Sequence, residues 1–87
     1  MEIVLTERAM KERDFWKKSG NLAVQKRIST LIDAIIKSPY TGIGKPEALR
    51  ANLSGFWSRR ITREHRLVYG VDEGDQRITI ISMRFHY

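Results

Sequence analysis

Residues 56–86, FWSRRITREHRLVYGVDEGDQRITIISMRFH, decide the fold of this chain. Polar and apolar residues alternate here, and Ile, Val, Tyr and Trp, which strands favour, are frequent. The pattern predicts three strands, over 56–62, 66–71 and 77–86. The run Asp72-Glu73-Gly74-Asp75 predicts a turn between the last two strands, because Asp and Gly adopt turn conformations readily. Three consecutive strands of this kind indicate an antiparallel meander.

Alternation along the last strand divides its side chains between the two faces of the sheet. We expect one face to meet the core and to carry Thr79, Ile81, Met83 and Phe85. The other face then carries Ile78, Ile80, Ser82, Arg84 and His86. This assignment places Arg84 and His86 together, away from the core, at the end of the strand.

The first half of the chain follows the helical period of about 3.6 residues. Residues 2–5 predict a short strand, and Thr6 is a suitable N-cap for a helix over 7–18. We expect three residues of this helix to face inward, namely Met10, Phe15 and Trp16. Gly20 ends this helix, and a second helix over 22–37 ends before Pro39. Its apolar stripe consists of Val24, Ile28, Leu31, Ile32, Ile35 and Ile36.

A strand, a helical hairpin and a meander define an α+β domain with both helices on one face of the sheet. The chain has 87 residues, so we expect a single domain over 1–87. The absence of cysteine excludes disulfides, a thiolate nucleophile and a cysteine-based zinc site. Neither a secretory signal nor a membrane span is evident, and we expect a cytoplasmic protein.

The charge of the chain is the first functional signal. Sixteen Lys and Arg against ten Asp and Glu give a net charge of +6. Residues 45–66 contain six cations and only two acids, Glu47 and Glu64. Such a cluster is typical of a surface that binds anions, nucleic acid above all. The alternative from charge alone is a basic surface that only keeps the domain soluble.

Common catalytic motifs do not fit this sequence. The Gly42-Ile-Gly-Lys-Pro46 segment lacks the Ser or Thr that follows Gly-Lys in a phosphate-binding loop, so we expect a plain loop. His65 and His86 do not have the spacing of paired metal ligands, and no Gly-x-Ser-x-Gly elbow is present. We therefore expect neither a metal nor another cofactor.

The remaining polar residues could cleave RNA without a metal. That reaction needs a base for the ribose 2′-OH, an acid for the departing 5′ oxygen, and cations for the charge that grows on the phosphate. A carboxylate, several guanidiniums and a histidine supply these three groups. The candidates are Glu47, Arg59, Arg60, Arg66, Arg84, His86 and Tyr87. The pattern alone favours a basic α+β domain without catalysis, since any such domain can carry one Glu and one His on its surface.

Four segments resemble the YoeB toxins of the RelE/ParE superfamily, which belong to type II toxin–antitoxin systems. They are GIGKPEAL at 42–49, NLSGFWSRRI at 52–61, EHRLVY at 64–69 and RFHY at 84–87. The resemblance covers essentially the whole chain. It implies a RelE-like fold with two N-terminal helices on a twisted antiparallel sheet. It also implies an endoribonuclease that cuts mRNA in the A site of the ribosomal 30S subunit and is held inactive by a YefM-type antitoxin.

The resemblance also assigns roles to individual residues. Glu47 falls on the general base of the family and His86 on its general acid. Arg60 and Arg66 fall on the arginines that hold the scissile phosphate, and Tyr87 on the tyrosine that orients the substrate. The chain departs from the common pattern at three positions, where relatives often have Pro, Lys and Tyr instead of Ala48, Arg50 and Phe85.

We expect further cations to bind RNA, namely Lys45, Arg50, Arg59, Arg63 and Arg84. His65 is interpreted as a turn residue, and at least one of Phe56 and Trp57 as part of the core. Besides the antitoxin, the expected partners are the ribosome with its mRNA, operator DNA only together with the antitoxin, and a second copy of the chain in a homodimer. No membrane partner is expected.

One geometric hypothesis concerns the two phosphate-holding arginines. A connection with an odd number of residues, such as Arg63-Glu64-His65 with Thr62 opposite Arg66, places Arg60 and Arg66 on one face of the sheet. Two rival functions remain open. One is a ParE-like gyrase inhibitor with the same fold, and the other is a nucleic-acid-binding module without catalysis.

Overall fold

The computed structural model describes residues 1–85, and His86 and Tyr87 lie outside the described part. Its helices are α1 (Glu7–Ser19) and α2 (Leu22–Lys37). Its strands are β1 (Glu2–Leu5), β2 (Glu47–Ala48), β3 (Phe56–Arg60), β4 (Arg66–Asp72) and β5 (Arg77–Ser82). A short 3₁₀ helix, Ala51–Leu53, lies between β2 and β3. Over residues 1–85 no helix combines the length and the apolar character that a membrane crossing needs.

The predicted α+β class is confirmed, since both helices pack on one face of a five-stranded sheet with the strand order β1-β5-β4-β3-β2. Strands β3, β4 and β5 form the predicted antiparallel meander, and β2 also pairs antiparallel with β3. β1 pairs parallel with β5, which makes the sheet mixed. Glu2 pairs with Arg77, which lies far away in the sequence. The sequence therefore contains no local signal that β1 and β5 run parallel. β2 was not predicted, because two residues are too few to show alternation.

The ends of α1 follow the sequence prediction closely. The Thr6 hydroxyl accepts a hydrogen bond from the backbone N–H of Ala9 at 3.1 Å, which satisfies one free donor of the first turn. The same hydroxyl donates to the carbonyl of Ile81 at 3.0 Å and so ties the helix start to β5. At the other end Gly20 has a φ of 71°, the left-handed conformation that lets the chain turn into α2.

The hydrophobic core lies between the two helices and the sheet. Its members from the helices are Ala9, Trp16, Val24, Ile28, Leu31 and Ile35. Met10 and Phe15, which were expected inside, are 43% and 41% exposed. The reason is that α1 presents only a narrow stripe to the sheet, in which Ala9 and Trp16 are buried and Glu12 accepts a hydrogen bond from the Met83 N–H at 2.7 Å.

The predicted faces of β5 are partly wrong, and the cause is a β-bulge. Tyr69 lies opposite Ile80, but its neighbour Val68 lies opposite Ser82, so β5 has one extra residue, Ile81. Such a bulge shifts the alternation of side chains. The core face therefore carries Ile78 and Ile80 before the bulge and Met83 after it, whereas Thr79 and Phe85 do not belong to the core.

The cap at Thr6 leads to a testable prediction. Thr6→Ala removes both the helix cap and the bond to Ile81, and we expect a loss of about 1–2 kcal/mol in the free energy of unfolding. Thr30→Ala is the matched control, because Thr30 is an exposed residue within α2 whose hydroxyl donates to the Lys26 carbonyl of the same helix. Urea unfolding followed by circular dichroism measures both variants, and equal stability of the two would contradict the capping role.

Candidate functional site

The surface of the sheet opposite the helices is called the open face here, and it collects a large part of the predicted site. Residues directly opposite each other on antiparallel strands share a face. Trp57 with Tyr69 and Arg59 with Leu67 form pairs that face the core. The alternate pairs, with Glu47 from β2, form the open face, which consists of Glu47, Phe56, Ser58, Arg60, Arg66, Val68, Gly70, Thr79 and Ser82. Three of these residues are buried, namely Ser58, Val68 and Ser82.

Arg60 and Arg66 lie directly opposite each other on β3 and β4. Five residues, 61–65, connect them, so the hypothesis of an odd connection that places both on one face is confirmed. The register differs from the suggested one, because Arg60 and not Thr62 is the partner of Arg66. The Cβ atoms of directly opposite residues are about 5 Å apart, and like charges on such a pair are destabilising. An anion between them would relieve that repulsion, which makes the pair a candidate phosphate clamp.

The guanidinium of Arg66 is oriented by the connection that precedes it. Its Nη1 donates to the carbonyls of Thr62, Arg63 and His65 at 3.1, 3.2 and 3.2 Å. One edge of the planar group is thereby fixed to the backbone before any ligand binds. Preorganised donors stabilise developing charge better than mobile ones, because no reorganisation is needed during the reaction.

Glu47 joins the two arginines on the open face. It lies opposite Ser58 on β3, and Arg60 is two residues further along the same strand. Such diagonal neighbours are about 7–8 Å apart. Glu47 is exposed, so its carboxylate is accessible to a substrate. One carboxylate and two guanidinium-bearing residues therefore share one face of the sheet on three neighbouring strands.

The segment before Glu47 is held by a buried charge. Arg59 has no exposed surface. Its Nη1 donates to the Ile43 carbonyl at 3.1 Å and its Nη2 to the carbonyls of Ser38 and Thr41. Its Nε donates to the Tyr69 hydroxyl at 3.1 Å. The prediction that Arg59 binds or steers RNA is corrected, because every group it would offer to RNA is occupied by the protein's own oxygens.

Tyr69 completes this buried network. Its hydroxyl accepts from Arg59 and donates to the carbonyl of Pro39 at 2.6 Å. Burial raises the pKa of the Tyr69 hydroxyl, although the hydrogen bond and charge of Arg59 lower it in part. The hydroxyl therefore keeps its proton at neutral pH and remains a donor to Pro39.

Gly44 fixes the same segment to the sheet. It has a φ of 82°, and a Cβ at this position would lie 2.8 Å from the Leu31 side chain. Its carbonyl accepts the Arg60 N–H at 2.7 Å. The Gly42-Ile-Gly44 segment is thus a loop, as predicted. It holds the chain that leads into β2 against the strand that carries Arg60.

The other cations predicted to bind RNA differ in their exposure to solvent. Lys45, Arg50 and Arg63 are exposed: the first two flank β2, and the third lies in the β3–β4 connection. Arg84 is half-buried, and its guanidinium lies 3.5 Å from the centre of the Phe15 ring, so it packs on α1. The RNA-binding roles of these four residues stay predictions. The predicted acid His86 and the predicted Tyr87 lie outside the described residues.

Sequence reasoning missed the role of His65. It was interpreted as a turn residue, and it does lie in the β3–β4 connection. Its Nδ1, however, also accepts a hydrogen bond from the backbone N–H of Phe85 at 2.8 Å. A contact between residues so distant in the chain leaves no periodic or local signal, so only the fold could reveal it.

These observations first define a class, namely a small basic α+β domain whose open face is equipped to bind an anion. The profile of the YoeB-like toxins of bacterial type II toxin–antitoxin systems matches residues 5–87. The chain therefore belongs to the YoeB family of toxins. Toxin YoeB of Synechocystis sp. is 51% identical over 87 residues, which cover 100% of this chain and 98% of that protein. Toxin YoeB of Escherichia coli K12 is 44% identical, with both chains covered completely.

Solved structures agree with this assignment. A YoeB/ParE toxin from Agrobacterium tumefaciens superposes with a TM-score of 0.95 at 40% identity and full coverage of both chains. The YoeB dimer from Staphylococcus aureus gives 0.89 at 39% identity, with 100% of this chain and 98% of that chain covered. The RelBE2 toxin–antitoxin complex of Mycobacterium tuberculosis gives 0.71 at 18% identity over 98% and 96% of the two chains, a likeness of fold alone.

The buried arginine leads to a second prediction. Arg59→Met keeps much of the side-chain volume but leaves the buried Tyr69 hydroxyl and the partly buried carbonyls of Thr41 and Ile43 without their donor, and a buried group left unsatisfied costs about 1–3 kcal/mol. We expect a loss of several kcal/mol in the free energy of unfolding, measured with urea. Arg63→Met is the matched control at an exposed position, where such changes stay within about 0.5 kcal/mol. A stable Arg59→Met protein would contradict the structural role of Arg59.

Proposed function

We propose that this type II toxin is a ribosome-dependent mRNA endonuclease that cleaves the transcript in the A site and so inhibits translation. The single observation that supports the proposal most is the position of Glu47 on the same face of the sheet as the Arg60–Arg66 pair. A base and a phosphate clamp on one face are the two groups that the attack of a ribose 2′-OH on its adjacent phosphate requires.

The proposed reaction uses the 2′-OH of the substrate as its nucleophile. Glu47 takes the proton from the 2′-OH as the 2′ oxygen attacks the adjacent phosphorus. The bond between phosphorus and the 5′ oxygen breaks, and His86, placed in this role by family resemblance, donates a proton to the departing oxygen. The products are a 2′,3′-cyclic phosphate and a 5′-hydroxyl end. No step calls for a metal ion or another cofactor, and DNA is excluded because it lacks the attacking hydroxyl.

The two arginines stabilise the charge that develops during this attack. The phosphorus becomes five-coordinate, and negative charge grows on its non-bridging oxygens. Arg60 and Arg66, opposite each other on the open face, offer two guanidiniums to these oxygens. Tyr87 is proposed to orient the substrate. Binding is assisted by Lys45, Arg50, Arg63 and Arg84, and the net charge of +6 favours the approach of RNA.

A requirement for the ribosome fits the shape of the site. Glu47, Arg60 and Arg66 stand on the surface of a sheet, and Glu47 and Arg60 are exposed. Correct orientation of reacting groups contributes up to about 7–11 kcal/mol to catalysis. A sheet surface with few contacts does not align a flexible RNA by itself. A ribosome that presents the mRNA codon in a fixed conformation would supply that alignment.

The proposed partners follow from charge and from the solved relatives. A YoeB–YefM complex and a YoeB dimer from Staphylococcus aureus are among the similar structures, at 39% identity each. We extend both to this chain, with a YefM-type antitoxin as the inhibitor and a homodimer as a further assembly. An acidic antitoxin segment would neutralise part of the +6 charge. Operator DNA is proposed as a partner only with the antitoxin, and the cytoplasm as the site of action.

The carboxylate of Glu47 is the direct test of the mechanism. Glu47→Gln keeps the shape but removes the base, and we expect cleavage of ribosome-bound mRNA to slow by about 10²–10⁴-fold, with little change in ribosome binding. Primer extension on stalled ribosomes measures cleavage, and co-sedimentation measures binding. Glu64→Gln, the same change at an exposed position of the β3–β4 connection, should cleave like the wild type.

Three outcomes would overturn the proposal. Wild-type rates for Glu47→Gln would remove the carboxylate from the reaction. Inhibition of gyrase-catalysed supercoiling without any RNA cleavage would instead assign the chain to the gyrase-inhibiting type of toxin. Binding of RNA or ribosomes without cleavage would identify a non-catalytic module.

A further inference from the structure

The last described residue, Phe85, is held in an unusual backbone conformation. Its φ is 59°, in the left-handed region that costs a residue other than Gly about 1–2 kcal/mol. Aromatic residues rarely adopt this region, so contacts with the rest of the protein must impose it. β5 ends at Ser82, and the regular ladder with β4 therefore does not account for this conformation.

Two consecutive residues hold the backbone of Phe85 from both sides. Its N–H donates to Nδ1 of His65 at 2.8 Å. Its carbonyl accepts the N–H of Arg66, also at 2.8 Å. Arg66 in turn bonds through Nη1 to the carbonyl of His65 at 3.2 Å. The conformation of Phe85 and the orientation of the Arg66 guanidinium therefore depend on the same two-residue unit.

The His65 ring is itself fixed in position. It packs edge-on against Trp16, with ring centres 5.0 Å apart, and is tilted against the Phe85 ring at 5.4 Å. Its carbonyl accepts the N–H of Ile61 at 3.0 Å. Because Nδ1 accepts a hydrogen bond, the neutral ring must carry its proton on Nε2. The ring is a rigid acceptor and not a mobile surface group.

We infer that His65 is a positioning residue, whose Nδ1 fixes the left-handed conformation of Phe85, the residue that precedes the proposed acid in the sequence. The inference rests on the proposed function, which gives His86 the role of the acid. His65 does not touch the substrate. It ties Phe85 to Arg66, the arginine proposed to bind the phosphate, through hydrogen bonds of one two-residue unit.

Two variants separate the hydrogen bond from the packing of the ring. His65→Phe keeps an aromatic ring beside Trp16 but has no acceptor. His65→Asn loses the ring, but the amide Oδ1 that it introduces is as many bonds from Cβ as Nδ1 is and can accept from Phe85. Both are prepared in the full chain and tested on stalled ribosomes at saturating toxin, where the single-turnover rate reports the chemical step.

The two variants rank in opposite orders of cleavage rate, depending on whether the hydrogen bond or the packing of the ring matters. We expect His65→Phe to slow cleavage by about 10- to 100-fold with unchanged affinity for the ribosome, since a misplaced catalytic group costs rate rather than binding. His65→Asn should cleave at most of the wild-type rate, although without the ring it is expected to be less stable than His65→Phe. Rapid cleavage by His65→Phe would overturn the inference. The inference would also be overturned if the less stable of the two variants were the slower one, because packing and not the hydrogen bond would then determine the rate.

A second measurement tests the role of His65 without depending on catalysis. In the Glu47→Gln background, amide exchange by NMR should show a protected Phe85 N–H when His65 is present and also in the His65→Asn variant, but an unprotected one in His65→Phe. The ¹⁵N shifts of His65 should show a protonated Nε2 and an accepting Nδ1. If the wild type does not cleave RNA, the proposed function fails while this result still decides the role of His65. Equal exchange of Phe85 in all three proteins would overturn it.

Discussion

Arg59 carries a positive charge in the interior of the protein, where a cation without compensating hydrogen bonds would be strongly unfavourable. The oxygens of Ser38, Thr41, Ile43 and Tyr69 compensate it, and three of these belong to the segment between α2 and β2. That segment contains no regular element of its own. The hydrogen bonds of one guanidinium therefore hold this segment over the sheet, and they also help to position β2, which follows it.

The position of β2 is what turns a basic sheet into a candidate active site. Two residues of strand make a weak ladder, yet they place Glu47 beside Ser58 and diagonal to Arg60. The adjacent residues Arg59 and Arg60 thus have opposite surroundings and opposite roles. One points to the core and holds the loop that carries the carboxylate, and the other points to the open face beside Arg66. Alternation along one strand separates the structural cation from the one that we propose binds the phosphate.

The sequence predicted those features that depend on local pattern. The Thr6 cap, the break at Gly20 and the turn at Asp72 depend on neighbours in the chain, and the structure contains all three. The stripe of α2 is also present, except that Ile36, expected in it, is 39% exposed. The predicted faces of β5 were partly wrong, because the bulge at Ile81 arises from pairing with β4 and the periodicity of the sequence does not indicate it. The burial of Arg59 was missed for a similar reason, since charge alone does not distinguish a cation that meets solvent from one that meets buried carbonyls. Glu47, Arg60 and Arg66 were selected by resemblance, and the register of the strands supports their convergence.

The central claim is that the open face aligns a carboxylate and two guanidiniums with one ribose–phosphate unit, so that the substrate's own hydroxyl attacks. The most direct measurement uses an mRNA with a single 2′-deoxynucleotide at the cleaved position, placed in the A site of stalled ribosomes. The account predicts that cleavage at that bond stops while the toxin still binds the ribosome and still cuts the matching all-ribose transcript. Cleavage of the deoxy-substituted bond at an unchanged rate would contradict it.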